Sequence, residues 1–418
     1  MTNLKNNPGI DRKLILQRNP IDGQDIKDLT AAGMAWLNTN KNTVNALNVF
    51  PVPDGDTGTN MMLTMQSAFD EIKNSPEIHA GKMLGSVAQG ALMGARGNSG
   101  VILSQIWRGI ASAMKDQQHL TGENLAKAFT YARDTAYKGV VRPVEGTILT
   151  VVKDVAIATD KALSKTTDTI EILEIAVKAA AESVERTPEL LPVLKDAGVV
   201  DSGGKGFFLL LDGMMRWING EALDTPLAEV QPLDSLKLDN TLDAIEEGQD
   251  YEIVVDFRPN GVLDLQDFYT GLEDMGTSIQ VGEGEGMYRM HIHVPLDNRY
   301  LPIDYIMEIG TITKVAMENL VAQMDEIDEQ AKGDLIDLTS VEPGEIAVVT
   351  VSPGPGLSRI FASLGVAAIV EGGQTMNPSF SSSPSSFSYP NPGFSFASRT
   401  IQYSNSGSIG GRPGFRFC

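Results

Sequence analysis

The sequence predicts a multidomain protein: an all-helical domain over residues 21–220, an α/β domain over 248–335, and the start of a second α/β domain over 336–378. Three observations predict this. Apolar residues recur at helical spacing through the first half, as at Ile170, Leu173, Val177 and Ala181. Strand alternation begins at Tyr251, and an acidic stretch over 221–247 without a long apolar period separates the two regimes. Residues 1–20 read as an N-terminal extension, and 418 residues are enough for several separate cores.

The first element with chemistry in it is Asn48-Val-Phe-Pro-Val-Pro-Asp-Gly-Asp-Thr-Gly-Thr-Asn-Met-Met62. Pro51 and Pro53 fix φ, while Gly55 and Gly58 let the backbone bend around whatever Asp54 and Asp56 face. Met62, Met65, Phe69 and Ile72 follow at helical spacing, so Thr57 to Asn60 lie where a helix begins and its free N–H groups can receive an anion. Two hard oxygen ligands beside such a helix start suit Mg²⁺ plus phosphate. A Pro-Asp-Gly turn leading into a capped helix is the plainer alternative. An EF-hand is excluded, since its sixth and twelfth positions fall on Thr59 and Met65.

Two glycine-rich elements follow. Gly94-Ala-Arg-Gly-Asn-Ser-Gly100 precedes a helix with Ile102, Ile106 and Ile110 on one face, so exposed amides and the Ser99 hydroxyl sit at a second helix start. Asp196-Ala-Gly-Val-Val-Asp-Ser-Gly-Gly-Lys-Gly206 again leads into an apolar run. Neither has the phosphate-loop spacing G-x-x-x-x-G-K-[ST], and no strand followed by G-x-G-x-x-G and a distal acid occurs.

In the second domain, Tyr251, Ile253, Val255 and Phe257 share one strand face, with Glu252 and Asp256 on the other. Tyr288, Met290, Ile292 and Val294 form a second apolar face, and Arg289, His291 and His293 lie opposite. That polar face is expected to meet solvent, although His-x-His is also a metal spacing. The third domain opens with the strand 346–351, a Pro-Gly loop, a helix over 357–364 and the strand 366–370. Its continuation fails. Residues 379–418 hold twelve Ser and six of the fourteen Phe but no Asp, Glu or Lys, in a chain with 54 acidic residues; an out-of-frame tail fits this better than the alternative, a functional Ser/Phe-rich low-complexity segment. That tail is expected to be disordered.

These strings, together with Pro143-Val-Glu-Gly-Thr-Ile-Leu-Thr150, resemble the bacterial fatty acid kinase family, whose N-terminal domain is related to the nucleotide-binding (DhaL-like) subunit of dihydroxyacetone kinases. The resemblance runs from about residue 21 to 378. It implies a helical ATP-binding domain in which Asp54 and Asp56, with Asn48 as third ligand, hold the catalytic Mg²⁺. Thr59, Asn60, Gly97, Asn98, Ser99 and Gly100 would then contact phosphate, and Thr147, Asp201, Gly203 and Gly204 would enclose the ribose and adenine. Lys205 reads as a solvated charge after a turn. Members of the family place a Cys after the aromatic that opens the middle domain and complete a zinc site with the His pair; here that residue is Glu252, so weak zinc binding or none is expected of Glu252, His291 and His293.

Composition bounds the rest. A net charge of −21 disfavours nucleic acid and anionic membranes as partners, and no run of about 18 apolar residues or apolar signal core occurs. A cytoplasmic protein is expected, and its single cysteine, Cys418, excludes internal disulfides. The expected activity is ATP- and Mg²⁺-dependent phosphorylation of fatty acid presented by a lipid-binding, DegV-like carrier, with a homodimer compatible. A dihydroxyacetone or polyol kinase, or a nucleotide-binding regulatory protein with little turnover, are the alternatives. The helical domain, with its own core, is expected to bind ATP by itself.

Overall fold

The computed structural model describes residues 20–225, 249–284, 286–322, 348–352 and 364–371, with Lys13, Leu16 and Phe361 as isolated positions. The first part is helical, as the periodicity predicts. Its elements are α1 (Gly23–Thr39), α2 (Lys41–Ala46), α3 (Thr57–Ile72), α4 (Ala80–Gly94), α5 (Gly97–Met114), α6 (Gly122–Lys138), α7 (Ile148–Ala162), α8 (Thr169–Leu190), α9 (Pro192–Ala197) and α10 (Ser202–Asn219). Several starts carry side-chain caps that satisfy first-turn amides. Asp22 accepts from Gln24 and Asp25, Thr121 from Asn124, and Asp168 from Ile170 and Glu171. The apolar stripes meet in one core that includes Trp36, Met61, Met65, Ile106, Phe129 and Leu209. Burial of these side chains, each worth roughly 1.5–3 kcal/mol, holds the helix starts in register.

The second part is a four-stranded sheet of order β2-β3-β1-β4, made of β1 (Tyr251–Pro259), β2 (Thr277–Gly284), β3 (Met287–Val294) and β4 (Gly310–Asn319), with α11 (Leu265–Glu273) and α12 (Leu301–Ile309) in the connections. Every pairing in it is antiparallel. The order is strand, helix, two consecutive strands, helix, strand, so the middle part mixes helices and strands, with β2 and β3 joined as a hairpin. The alternating residues fall as predicted: Ile253 faces Ile292 and Val255 faces Met290, and this face packs with Phe268, Leu272 and Ile306 of the two helices.

The opposite face departs from expectation. Asp256, Arg289, His291 and His293 are buried, at 2%, 3%, 0% and 2% exposure, instead of meeting solvent. Helices α4 and α5 cover them. Backbone bonds from Val281 N–H to Gly139 O (3.1 Å) and from Val141 N–H to Ile279 O (3.3 Å) stitch the sheet to the helical part, and Arg108 pairs with Glu283 at 2.7 Å. Alternation separates two faces of a strand; it cannot say what covers the polar one. Helices and sheet therefore form one compact unit, although composition places a boundary between them.

A second unit contains β5 (Val349–Ser352), paired in parallel with β6 (Ala368–Glu371). Parallel pairing fits the predicted strand, helix and strand order, because such strands need a crossover. The helix expected over 357–364 lies largely outside the described residues, and the 379–418 tail lies wholly outside them. Among the described residues no helix is long and apolar enough to cross a membrane.

Candidate functional site

Helix α3 starts at Thr57, so the two carboxylates of the opening loop stand at its N-terminus, as predicted. Asp56 N–H points to Asp54 Oδ1 at 3.4 Å, and Asn60 Nδ2 donates to Asp56 Oδ2 at 2.7 Å. Burial, and then the charge of Asp56, raises the Asp54 carboxyl well above its ordinary range. Asp56 is raised as well, chiefly by burial, with Glu252 and Glu318 of the sheet adding like charge. Crowded half-buried carboxylates with few cationic neighbours form an oxygen donor set that suits a hard divalent cation.

Asn48 is placed differently from the expected metal ligand. Its Nδ2 donates to Val52 O at 2.6 Å, and its Oδ1 accepts from both the N–H and the hydroxyl of Thr57. Both acceptor positions are thereby engaged in bracing the loop. Asn45 braces Thr59 in the same way, accepting from its N–H at 3.0 Å and donating to its hydroxyl at 3.0 Å. These two asparagines take up first-turn amides of α3 that the sequence reading leaves for phosphate.

The remaining helix starts converge on the same place. Ser202 Oγ, at the head of α10, bonds Thr57 Oγ1 at 3.2 Å. Helix α5 begins at Gly97 without a side-chain cap from Arg96. Gly97 has φ +56°, and a Cβ there would lie 2.5 Å from Asn60 Nδ2, so only glycine lets the two helix starts approach this closely. Asn98, Ser99, Thr147, Asp201 and Gly203 line a cavity of about 500 Å³, closed on its other side by Thr277 to Gln280 of β2. Asp54, Asp56, Thr59, Asn60, Gly97, Gly100 and Gly204 are not among its lining residues; the Gly204 amide is held by Asp201, which is, and Asn60 is tied to Asp56. Lys205 is half-buried with its Nζ 5.0 Å from the Phe208 ring centroid, and does not line the cavity.

Asp201 caps α10, accepting from Gly204 N–H at 2.6 Å, and burial pushes its carboxyl up to about 7. A carboxyl raised in the folded state binds more protons than in the unfolded chain, so stability is lost as pH rises from about 4 through about 7. The Asp201→Asn variant keeps an oxygen cap and removes the titration. The difference in melting temperature between parent and variant is therefore expected to shift in the variant's favour across that window, and a pH-independent difference would refute the assignment.

On the buried polar face, Glu252, His291 and His293 offer ligand atoms that all lie within 4.8 Å of one another. Glu252 Oε1 is 3.1 Å from His291 Nε2. Although burial raises Glu252, the neighbouring His291 and His293 outweigh it, and the carboxyl is held below its usual range. Burial, then His291, lowers His293 to about 3, so its ring is neutral at pH 7 with a lone pair to give. His293 Nδ1 is buried with no hydrogen-bond partner among the described residues. A donor set of two imidazoles and one carboxylate with an orphaned buried nitrogen fits zinc. Glu252, carried on β1 opposite His293, also places this cluster within electrostatic reach of Asp54 and Asp56.

Sequence reasoning does not single out Asn45, Ser202, Gln280 or the buried Asp256–Arg289 pair. The pair's placement opposite the apolar face was visible in the alternation; its partners were not.

A model of the DAK2 domain matches residues 51–216, and a model of the FakA-like C-terminal region of fatty acid kinases matches residues 347–385. Uncharacterized proteins of Staphylococcus aureus strains USA300 and MRSA252 are each 37% identical over 366 residues, or 86% of this chain. The chain spans 66% of the length of these relatives. Among solved structures, the dihydroxyacetone kinase from C. freundii in complex with AMP-PNP and Mg²⁺ overlaps 47% of this chain and 34% of its own, at 16% identity and a TM-score of 0.37.

Proposed function

We propose that this chain, which carries a DAK2 domain followed by a FakA-like C-terminal region and so has the domain architecture of a kinase, transfers the γ-phosphoryl group of ATP to the carboxylate of a fatty acid presented by a separate lipid-binding, DegV-like protein. The observation that carries the phosphotransfer is the convergence of three helix starts on the crowded pair Asp54 and Asp56. Asp54 and Asp56 would hold Mg²⁺, which when bound neutralises charge on the phosphates. Asn48 would orient that loop through Thr57. The amides of Asn98 and Ser99, next after the Glu252-bonded amide of Gly97 at the head of α5, the Ser99 hydroxyl and the Thr59 hydroxyl would hold phosphate oxygens, while Thr147 and the turn from Asp201 to Gly204 would border the nucleoside. Glu252, His291 and His293 would hold Zn²⁺ as a structural ion beside the site.

A carboxylate acceptor is supported by the hydrogen bonds and ion pair that occupy the cavity's two acidic side chains. Asp201 is engaged by the amides of Gly204 and Ile148, and Glu273 by Arg142 at 3.5 Å. An alcohol acceptor needs a base to take its proton, whereas a carboxylic acid of pKa roughly 4 to 5 is already ionised at pH 7. A carboxylate oxygen then attacks the γ-phosphorus, the bond to the bridging oxygen of ADP breaks, and acyl phosphate and ADP leave with no proton transfer. Positioning supplies most of the acceleration in such a reaction.

The test is ATP consumption by the full chain with fatty acid on a lipid-binding carrier, with dihydroxyacetone, and with no acceptor. Carrier-dependent formation of hydroxylamine-reactive acyl phosphate is expected. Turnover with dihydroxyacetone alone would make this a polyol kinase, and tight ATP binding without turnover on any acceptor would make it a nucleotide-responsive regulator.

A further inference from the structure

The polar face of the sheet is buried, and burying a guanidinium or a carboxylate is costly unless each is paired. Its partners are concentrated on one short segment, residues 92–98, which ends α4 and turns into α5. Arg289 is clasped by Asp256 through two bonds, Nε to Oδ1 at 2.6 Å and Nη2 to Oδ2 at 2.6 Å. Its remaining nitrogen, Nη1, donates to Leu92 O at 2.5 Å and to Ala95 O at 3.1 Å. These carbonyls belong to the last turn of α4 and its C-cap, where a helix leaves acceptors unsatisfied and favours a cation. Two residues on, the Gly97 amide bonds Glu252. One residue further, the Asn98 side chain bonds Gln280 Nε2. Three strands of the sheet thus grip successive points of the turn whose next amides open α5.

We infer that Arg289, locked by Asp256, is a positioning residue for phosphate binding: from the sheet it fixes the carbonyls before the 94–100 turn and so aims the amides at the start of α5. The inference rests on the ATP reading of that helix start. It also predicts that the helical domain alone binds ATP more weakly than the full chain, because part of what shapes its phosphate turn lies on β1, β2 and β3. The planar two-bond clasp with Asp256 and the pair of bonds to carbonyls use the guanidinium geometry, which the ammonium of lysine does not reproduce.

The experiment is calorimetric titration of the full chain with Mg²⁺·ATP, Mg²⁺·ADP and adenosine, comparing the parent with Arg289→Lys and Gln280→Leu, each checked by circular dichroism. Arg289→Lys is expected to weaken ATP and ADP on the order of 10- to 100-fold, the scale of an outer-shell orienting contact, and to leave adenosine unchanged. Gln280→Leu leaves the buried ion pair intact and carries the test if Arg289→Lys does not fold; a several-fold, equally phosphate-selective loss is expected of it. Equal losses for ATP and adenosine, or no loss in either variant, overturn the inference. A parent chain that binds adenosine and ATP alike, or neither, overturns the ATP reading itself and the inference with it.

Discussion

Replacing Asp54 or Asp56 by Asn is expected to abolish phosphoryl transfer while leaving the metal-free chain at least as stable as the parent. The two effects have one cause. Both carboxyls are raised in the folded protein, burial being the largest contribution to each, and each lies close to other acidic groups. Groups raised in this way bind more protons folded than unfolded, so the pair lowers stability progressively as pH rises above about 4. At pH 7 without metal it is therefore a liability, and Mg²⁺ relieves it. Removing one charge removes the repulsion together with a charge-bearing ligand, and loss of such a ligand should cost several kcal/mol of transition-state stabilisation, a rate loss of about a thousandfold or more. The measurements are turnover at saturating Mg²⁺·ATP and melting temperature with EDTA and with Mg²⁺. The parent should gain stability on adding Mg²⁺ and the Asn variants should not. Parent-like turnover in either variant would falsify the assignment.

The second large effect concerns the cluster on the sheet. One zinc per chain is expected in protein purified without added metal, in place of the weak binding that the missing cysteine suggested. The structure brings Glu252 into the position of a third ligand, and His293 Nδ1 is a buried donor without a partner among the described residues. Because His293 titrates near 3 when folded, against 6.5 ordinarily, the unfolded chain takes up the extra proton first. Stability is thus present above pH 6.5 and is lost as pH falls below it, and ligand protonation displaces metal in the same direction. His293→Ala and Glu252→Gln should each lose the zinc and melt lower, with chelation lowering the parent and not the variants. Metal-free parent protein whose melting temperature ignores both zinc and chelator would exclude the site.

Much of this architecture can be read from local pattern. The start of α3 at Thr57 follows from methionines and phenylalanine at helical spacing behind a Pro- and Gly-bent loop, and the apolar face of β1 and β3 follows from strict alternation. The glycine-rich turns declare themselves because a positive φ, as at Gly97, admits few other residues. Asn48 was harder to read. The family resemblance implies a metal ligand there, and only the fold shows its side-chain amide engaged with Val52 and Thr57.

By itself, then, the sequence determined that the first part is helical, that β1 and β3 are strands with one apolar face, and that Asp54 and Asp56 stand at a helix start. Those properties depend on residues a few positions apart, whose relative placement is set by the repeat of the backbone. The tertiary structure alone decided that the polar face of β3 is buried, that Glu252 joins His291 and His293, and that Arg289 reaches Leu92 across 197 positions of chain. No local period encodes such contacts, because they arise where two separately formed surfaces are driven together by burial, and the polar groups caught between them must find partners wherever the packing happens to put them.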